Sequence, residues 1–267
     1  MRTRIVRPSP LFLGILAATI AGGALTVVSS KPVYVAGVVI LVLGGWAVSL
    51  CLHEFGHAYV AYRGGDYAVA GKGYLNLDIR RYTDPVFSIV MPVLILLIGG
   101  VPLPGGAVWI NHHALRSKRV DSWVSLAGPL SNLVLGILLI VPAALLWDDS
   151  SAFLIRDGSG YAVEPGTSPL AAALSYLAIL QIAAFVLNIL PIPGLDGWGA
   201  IQPWLSYKAQ EFGAKARPWA PLVLFAILLG IPQAGQAFWD LVHSLFGAVG
   251  GPERYSTIGQ ILFKFWN

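Results

Sequence analysis

The sequence predicts a polytopic α-helical membrane protein with about 5–6 transmembrane helices and a small re-entrant β-structured segment. Two observations carry this. Of 267 residues, 56% are hydrophobic and only 11% are charged, where a soluble domain carries about 25% charged residues. The apolar residues also gather into five runs able to span a bilayer, at about 11–29, 34–62, 123–147, 169–192 and 218–247. No soluble module of about 50 residues can be cut out between them, so 1–267 reads as a single transmembrane domain.

The first run follows Arg2, Arg4 and Arg7 and is about 19 residues long, which suits an uncleaved first helix. The second returns across the membrane and meets Arg63, with Lys72, Arg80 and Arg81 beyond, so the loop after it is expected in the cytoplasm. In that loop Tyr74–Arg80 alternates apolar and polar residues, and Leu75, Leu77 and Ile79 would share one face of a β-strand. The stretch 85–111 is apolar at first but short for a span, then rich in Pro and Gly. Arg116, Lys118 and Arg119 follow it. Basic flanks on both sides favour a re-entrant hairpin that enters and leaves on the cytoplasmic side.

Residues 148–168 hold Asp148, Asp149, Asp157 and Glu164 against one basic residue, Arg156, as expected of an external loop. The run 169–192 then comes back to the cytoplasmic side, where Lys208, Lys215 and Arg217 follow. The last run carries Gly230-Ile231-Pro232 in its middle and is either one kinked helix or a broken pair. The net charge of +4 is dispersed over these loops. The positive-inside rule accounts for it, and nucleic acid is not an expected partner; membrane lipid is. The single cysteine, Cys51, excludes an intrachain disulfide and reads as a small apolar residue.

Within the second run, Cys51-Leu-His-Glu-Phe-Gly-His-Ala-Tyr59 carries an HExxH pattern. His53 and His57 are four apart, so on a helix both imidazoles project from one face, about 6 Å apart along the axis. Two neutral histidines so placed can hold one Zn²⁺, and Glu54 can serve as general base on a water. The bland alternative is a satisfied polar patch between helices. Twenty residues without formal charge, Val33 to Leu52, lead into the motif. An ionisable cluster at such depth is expensive unless it is used or paired. His53 lies ten residues before Arg63, roughly 15 Å of helix, which puts the site inside the bilayer nearer the cytoplasmic face.

A catalytic zinc usually takes three protein ligands and keeps one position open. Asp196 is the third candidate. It sits in Asn188-Ile-Leu-Pro-Ile-Pro-Gly-Leu-Asp-Gly197, where Pro191 and Pro193 must break the helix at the level of the HExxH. A carboxylate there needs a partner, and Zn²⁺ suits it; the alternative is a turn residue capping the next helix. Asn132 is a second polar candidate for the cavity, or an interhelical hydrogen bond. His112-His113 reads as an interfacial pair, and the tryptophans near span ends as an aromatic belt.

With His53-Glu54-Phe55-Gly56-His57, Asn188-x-x-Pro191-x-x-x-x-Asp196-Gly197 and Ala127-Gly128-Pro129-Leu130-Ser131-Asn132 in this order, the chain resembles the site-2 protease family of intramembrane zinc metalloproteases. The resemblance covers roughly residues 35–205, the family's three-helix catalytic core, without a PDZ or nucleotide-binding domain. It implies zinc ligation by His53, His57 and Asp196, base catalysis by Glu54, and a carbonyl-stabilising role for Asn188. It further implies a single-span membrane-protein substrate, held as an added strand; residues 73–80 and 101–110, with Leu75, Leu77, Ile79 and Val108, would suit that role. Two other readings stay open: a membrane transporter whose buried His and Asp bind its metal cargo, and a catalytically silent scaffold for membrane helices.

Overall fold

The computed structural model describes residues 6–82, 108–146, 154–157, 160–163 and 166–265. Its helices are α1 (Pro10–Leu25), α2 (Lys31–Gly64), α3 (Ala68–Gly71), α4 (Lys118–Leu145), α5 (Pro169–Asn188), α6 (Asp196–Ile201), α7 (Tyr207–Ala216), α8 (Ala220–Gly230), α9 (Pro232–Ala248) and α10 (Glu253–Phe263). Serine caps start several of them. Ser9, Ser117 and Ser168 accept from the backbone N–H of Phe12, Val120 and Ala171. Pro10 and Pro169 take the first helical position, where a missing N–H removes no intrahelical bond.

Three described helices, α2, α4 and α5, are long and apolar enough to cross a membrane, and a fourth span results if α7 and α8, bent by 63°, count together. Among the described residues the expectation of five to six is therefore not met. The first run stops at Leu25, where Thr26 closes the last turn with its N–H on Gly22 and Gly23 and its hydroxyl on Gly23. At 16 residues α1 is apolar but short. The last run is a broken pair: Ile231 is extended between α8 and α9, and Pro232, which has no N–H to give, starts α9.

The bundle is built on α2, α4 and α5, with α1 along α2 and α10 against α5. α5 is its centre, since 83% of its apolar window is buried against 33% for α4. The main core joins Val42 and Trp46 of α2, Ile140 of α4, Leu180 and Leu187 of α5, Phe246 of α9 and Phe263 of α10. Burying side chains of this size is worth roughly 1.5–3 kcal/mol each where water is the alternative. Between helices in lipid, close packing decides instead.

The strand expected over Tyr74–Arg80 does not form. Tyr74–Asn76 and Ile79–Arg81 are 3-10 turns. Gly73 before them (φ 76°) and Leu77 between them (φ 52°) are left-handed. Asp78 caps the second turn by accepting from the Arg80 backbone, and its carboxylate also pairs with the Arg80 guanidinium. Leu75, Leu77 and Ile79 are 1%, 7% and 6% exposed, so they line no open edge. Leu77 and Ile79 instead pack with Leu50, Cys51 and Tyr82. The described strands lie elsewhere, in the stretch expected outside the membrane: β1 (Leu154–Asp157) pairs antiparallel with β2 (Gly160–Val163), Leu154 opposite Val163. The hairpin expected at 85–111 falls mostly on 83–107, outside the described residues.

The two flanks of that stretch meet at one end of the bundle. The Gly64 carbonyl, at the end of α2, accepts from Arg116 N–H at 3.1 Å. Buried Asp66 accepts from the N–H groups of Ala68 and Asn111 at 3.1 and 2.8 Å. The C-terminus of α2 and the N-terminus of α4 therefore lie side by side.

Candidate metal centre

The 34 residues of α2 extend about 51 Å at 1.5 Å per residue, so His53 lies roughly 16 Å before its end. The i, i+4 spacing brings the two imidazoles edge to face, with ring centroids 4.8 Å apart and Nε2 atoms 3.1 Å apart. Both residues are buried, at 7% and 6% exposure. The third group arrives from far along the chain. α5 ends at Asn188, and the chain folds back through Pro191–Leu195, with Gly194 left-handed (φ 100°). A Cβ on Gly197 would strike the carbonyls of Ile189 and Leu190, so this return is as tight as backbone allows. It delivers Asp196 as the first residue of α6. Asp196 Oδ2 stands 3.2 Å from His53 Nε2, and Oδ1 stands 3.4 Å from His57 Nε2.

α4 holds α6 in place: Ser122 Oγ donates to the Ala200 carbonyl at 2.6 Å and accepts from Trp204 Nε1 at 2.9 Å. α4 also forms the floor of the site. A Cβ on Gly128 would meet Nε2 of both His53 and His57. Only glycine leaves that space open, and Pro129 follows it.

The second ring nitrogen of each histidine is engaged by α4. His57 Nδ1 faces the Val124 carbonyl at 2.7 Å, and His53 Nδ1 faces Asn132 Oδ1 at 2.5 Å. Such outer partners fix ring orientation and leave Nε2 free for a metal. Glu54, 3% exposed, is not among the three converging ligands. Its Oε2 accepts from Val108 N–H at 3.1 Å.

These residues fit zinc. The candidate ligand atoms of His53, His57 and Asp196 all lie within 4.8 Å of one another. Tetrahedral ligands at 2.0–2.1 Å from Zn²⁺ would be about 3.3 Å apart; the two Nε2 atoms are 3.1 Å apart, and Asp196 reaches each histidine through a different carboxylate oxygen, at 3.2 and 3.4 Å. Two imidazoles and a carboxylate are zinc donors. A buried carboxylate, Glu54, and a half-buried one, Asp196, in one cluster also call for a cation. Among the described residues, Asp196 forms ion pairs with the two histidines only.

Asn188 is 3% exposed at the end of α5, and one of its amide N–H groups donates to Ala184 of its own helix at 3.0 Å. Of the residues expected to hold substrate, Val108 is the one whose backbone touches the site. Sequence reasoning weighed Asn132 and missed Gln181, whose Oε1 accepts from Asn132 Nδ2 at 2.7 Å. Its signal was a lone amide in an apolar span. Gly128 was visible only as part of a motif.

An HExxH helix, a facing aspartate and a bundle of long apolar helices define a membrane zinc metalloprotease. Comparison with known proteins agrees. The chain is 41% identical over 265 residues to a protein of Mycolicibacterium smegmatis named "Putative zinc metalloprotease Rip2", covering 98% of this chain and 95% of that one. The protein of that name in Mycobacterium tuberculosis is 42% identical with the same coverage. "Putative zinc metalloprotease YwhC" of Bacillus subtilis is 27% identical over 216 residues, 77% of this chain and 90% of the other. No family model and no solved structure matches. The chain belongs to the site-2 protease family of zinc metalloproteases.

Proposed function

We propose that the protein is an intramembrane endopeptidase that cleaves transmembrane helices of single-span membrane proteins. Its active site would lie within the bilayer near the cytoplasmic side. The observation that carries this reading is the convergence of Asp196 on His53 and His57, which lie on a membrane-length helix with His53 some 16 Å before that helix ends. The end in question is the one flanked by Arg63, Lys72, Arg116 and Lys118, the side that the positive-inside rule makes cytoplasmic.

His53, His57 and Asp196 would hold the zinc. When bound, zinc polarises a carbonyl oxygen and lowers the pKa of water. Glu54 is buried, next in sequence to a ligand and itself no ligand, which suits a general base. One carboxylate oxygen is held by Val108 N–H. The other is left to take a proton from the attacking water and return it to the leaving amine. Asn188 keeps a second amide N–H beyond the one given to Ala184, and that donor suits a developing oxyanion. Buried walls keep bulk water from the proton transfer. Asp196, at 25% side-chain exposure, marks the open side through which an unwound substrate would come.

The test is co-expression with a panel of single-span proteins, comparing the wild type with Glu54→Gln. The variant is expected to keep its zinc and to lose about 10²–10⁴-fold in cleavage. Equal cleavage by both would overturn the mechanism. Zinc flux into liposomes without any proteolysis would instead favour a transporter.

A further inference from the structure

The two histidines are oriented by acceptors of different kinds. His57 Nδ1 faces a main-chain carbonyl, that of Val124, which can only accept. Its Nδ1 must therefore carry the hydrogen, and its Nε2 lone pair faces the metal cleft. His53 Nδ1 faces a side-chain amide, that of Asn132. An amide can turn either its oxygen or its NH₂ toward a neighbour. With NH₂ turned to His53, Nδ1 becomes the acceptor, the hydrogen moves to Nε2, and a metal ligand is lost.

Something must fix the orientation of Asn132, and among the described residues one further side chain, Gln181, bonds its amide. Gln181, in the middle of α5, lies 2.7 Å from the Asn132 amide and is 0% exposed. Its own Nε2 finds no hydrogen-bond partner among the described residues. A buried amide N–H left unpaired is unusual. Reading outward from the metal cleft accounts for it. Nε2 of His53 must offer a lone pair, so Nδ1 donates and Asn132 presents oxygen. Asn132 NH₂ then faces Gln181, Gln181 must present oxygen, and the Gln181 NH₂ is what remains at the end of the chain. Turning Gln181 over would set N–H against N–H.

We propose that Gln181 is a positioning residue for the metal centre: by accepting from Asn132 it fixes the amide that selects the metal-binding form of His53. The inference rests on the reading of His53 as a zinc ligand through Nε2. Gln181 touches neither the metal position nor a ligand. It acts through two hydrogen bonds across three helices.

The test measures zinc affinity of the purified full-length protein in detergent, by competition with a fluorescent zinc chelator. Gln181→Met keeps the side-chain length and removes the acceptor. It should weaken zinc binding about 10- to 100-fold, the usual scale for lost outer partners of a ligand. The deciding variant is Asn132→Asp/Gln181→Met. An aspartate at 132 can only accept, so it needs no help from residue 181 and should restore affinity to near that of Asn132→Asp alone. A packing role for Gln181 predicts no such rescue. Unchanged affinity in Gln181→Met overturns the proposal, and so does a loss that Asn132→Asp fails to repair. Should Gln181→Met not fold, Asn132→Asp with and without Gln181→Leu asks the same question: a zinc affinity that still depends on residue 181 overturns it. His53→Ala is the separate check. If it binds zinc normally, the ligand assignment itself fails.

Discussion

Gly128→Ala is the sharpest perturbation the metal centre offers, because it changes no ligand. The added Cβ would meet Nε2 of both histidines, in the space that zinc would need. Neither ring can swing aside freely. His57 is tied to Val124 O at 2.7 Å and His53 to Asn132 at 2.5 Å. Breaking one such bond costs about 1 kcal/mol, and overpacking a tight site adds about 1–3 kcal/mol. The sum, about 2–4 kcal/mol, is roughly a 30- to 1,000-fold loss in zinc affinity at 1.4 kcal/mol per tenfold. The assay is metal content by mass spectrometry together with chelator competition. Gly14→Ala on α1 is the control, because a Cβ there meets nothing within 4 Å. Gly14→Ala should keep its zinc. A Gly128→Ala protein with full occupancy and wild-type affinity would refute the placement of zinc between the two Nε2 atoms.

Three further outcomes are expected. Val108→Pro removes the N–H that holds Glu54, so cleavage should fall while zinc content stays normal; cleavage at the wild-type rate would show that this contact does not position the base. Accessibility tags at positions 72 and 117 should report the same, cytoplasmic side and one at 158 the opposite side, and a split between 72 and 117 would contradict the meeting of α2 and α4 ends. His112 donates to Asp121 at 2.7 Å, and that hydrogen bond raises its pKa above the ordinary 6.5. A raised histidine stabilises fully below the unfolded value and loses its contribution as pH climbs through the folded one. Asp121→Asn should therefore destabilise the protein slightly in mild acid, by less than about 1 kcal/mol at so exposed a pair, seen as a small drop in melting temperature. The difference should vanish in alkali, and one that grew with pH would reverse the assignment.

The convergence of His53, His57 and Asp196 was legible because its logic is local. His53 and His57 share a helix face by spacing alone, and Asp196 is a carboxylate at a proline-broken span end. The strand was misread for an equally local reason. Leu75, Leu77 and Ile79 alternate with polar residues because they are buried, yet the backbone between them turns at Leu77, and nothing about a leucine announces a positive φ. The end of α1 was also hidden, since hydropathy continues through Val27 and Val28 after the helix has stopped at Leu25. The supports of the site, Asn132 on α4 and Gln181 on α5, are 49 residues apart. Their contact exists only once those two helices pack, and no spacing rule connects them.

Two of the candidate ligands and the neighbouring carboxylate fall within five consecutive residues of one helix, so helix geometry fixes the positions of their backbones. Asp196 is attached to nothing on that helix. It rides on the turn after α5, held by α4 through Ser122. The centre is therefore a vice with one fixed jaw and one movable jaw. The separation between α2 and the Pro191–Gly197 turn is thus the coordinate that opens or closes the three-residue cluster, while α4 sets how the two imidazoles are turned within it.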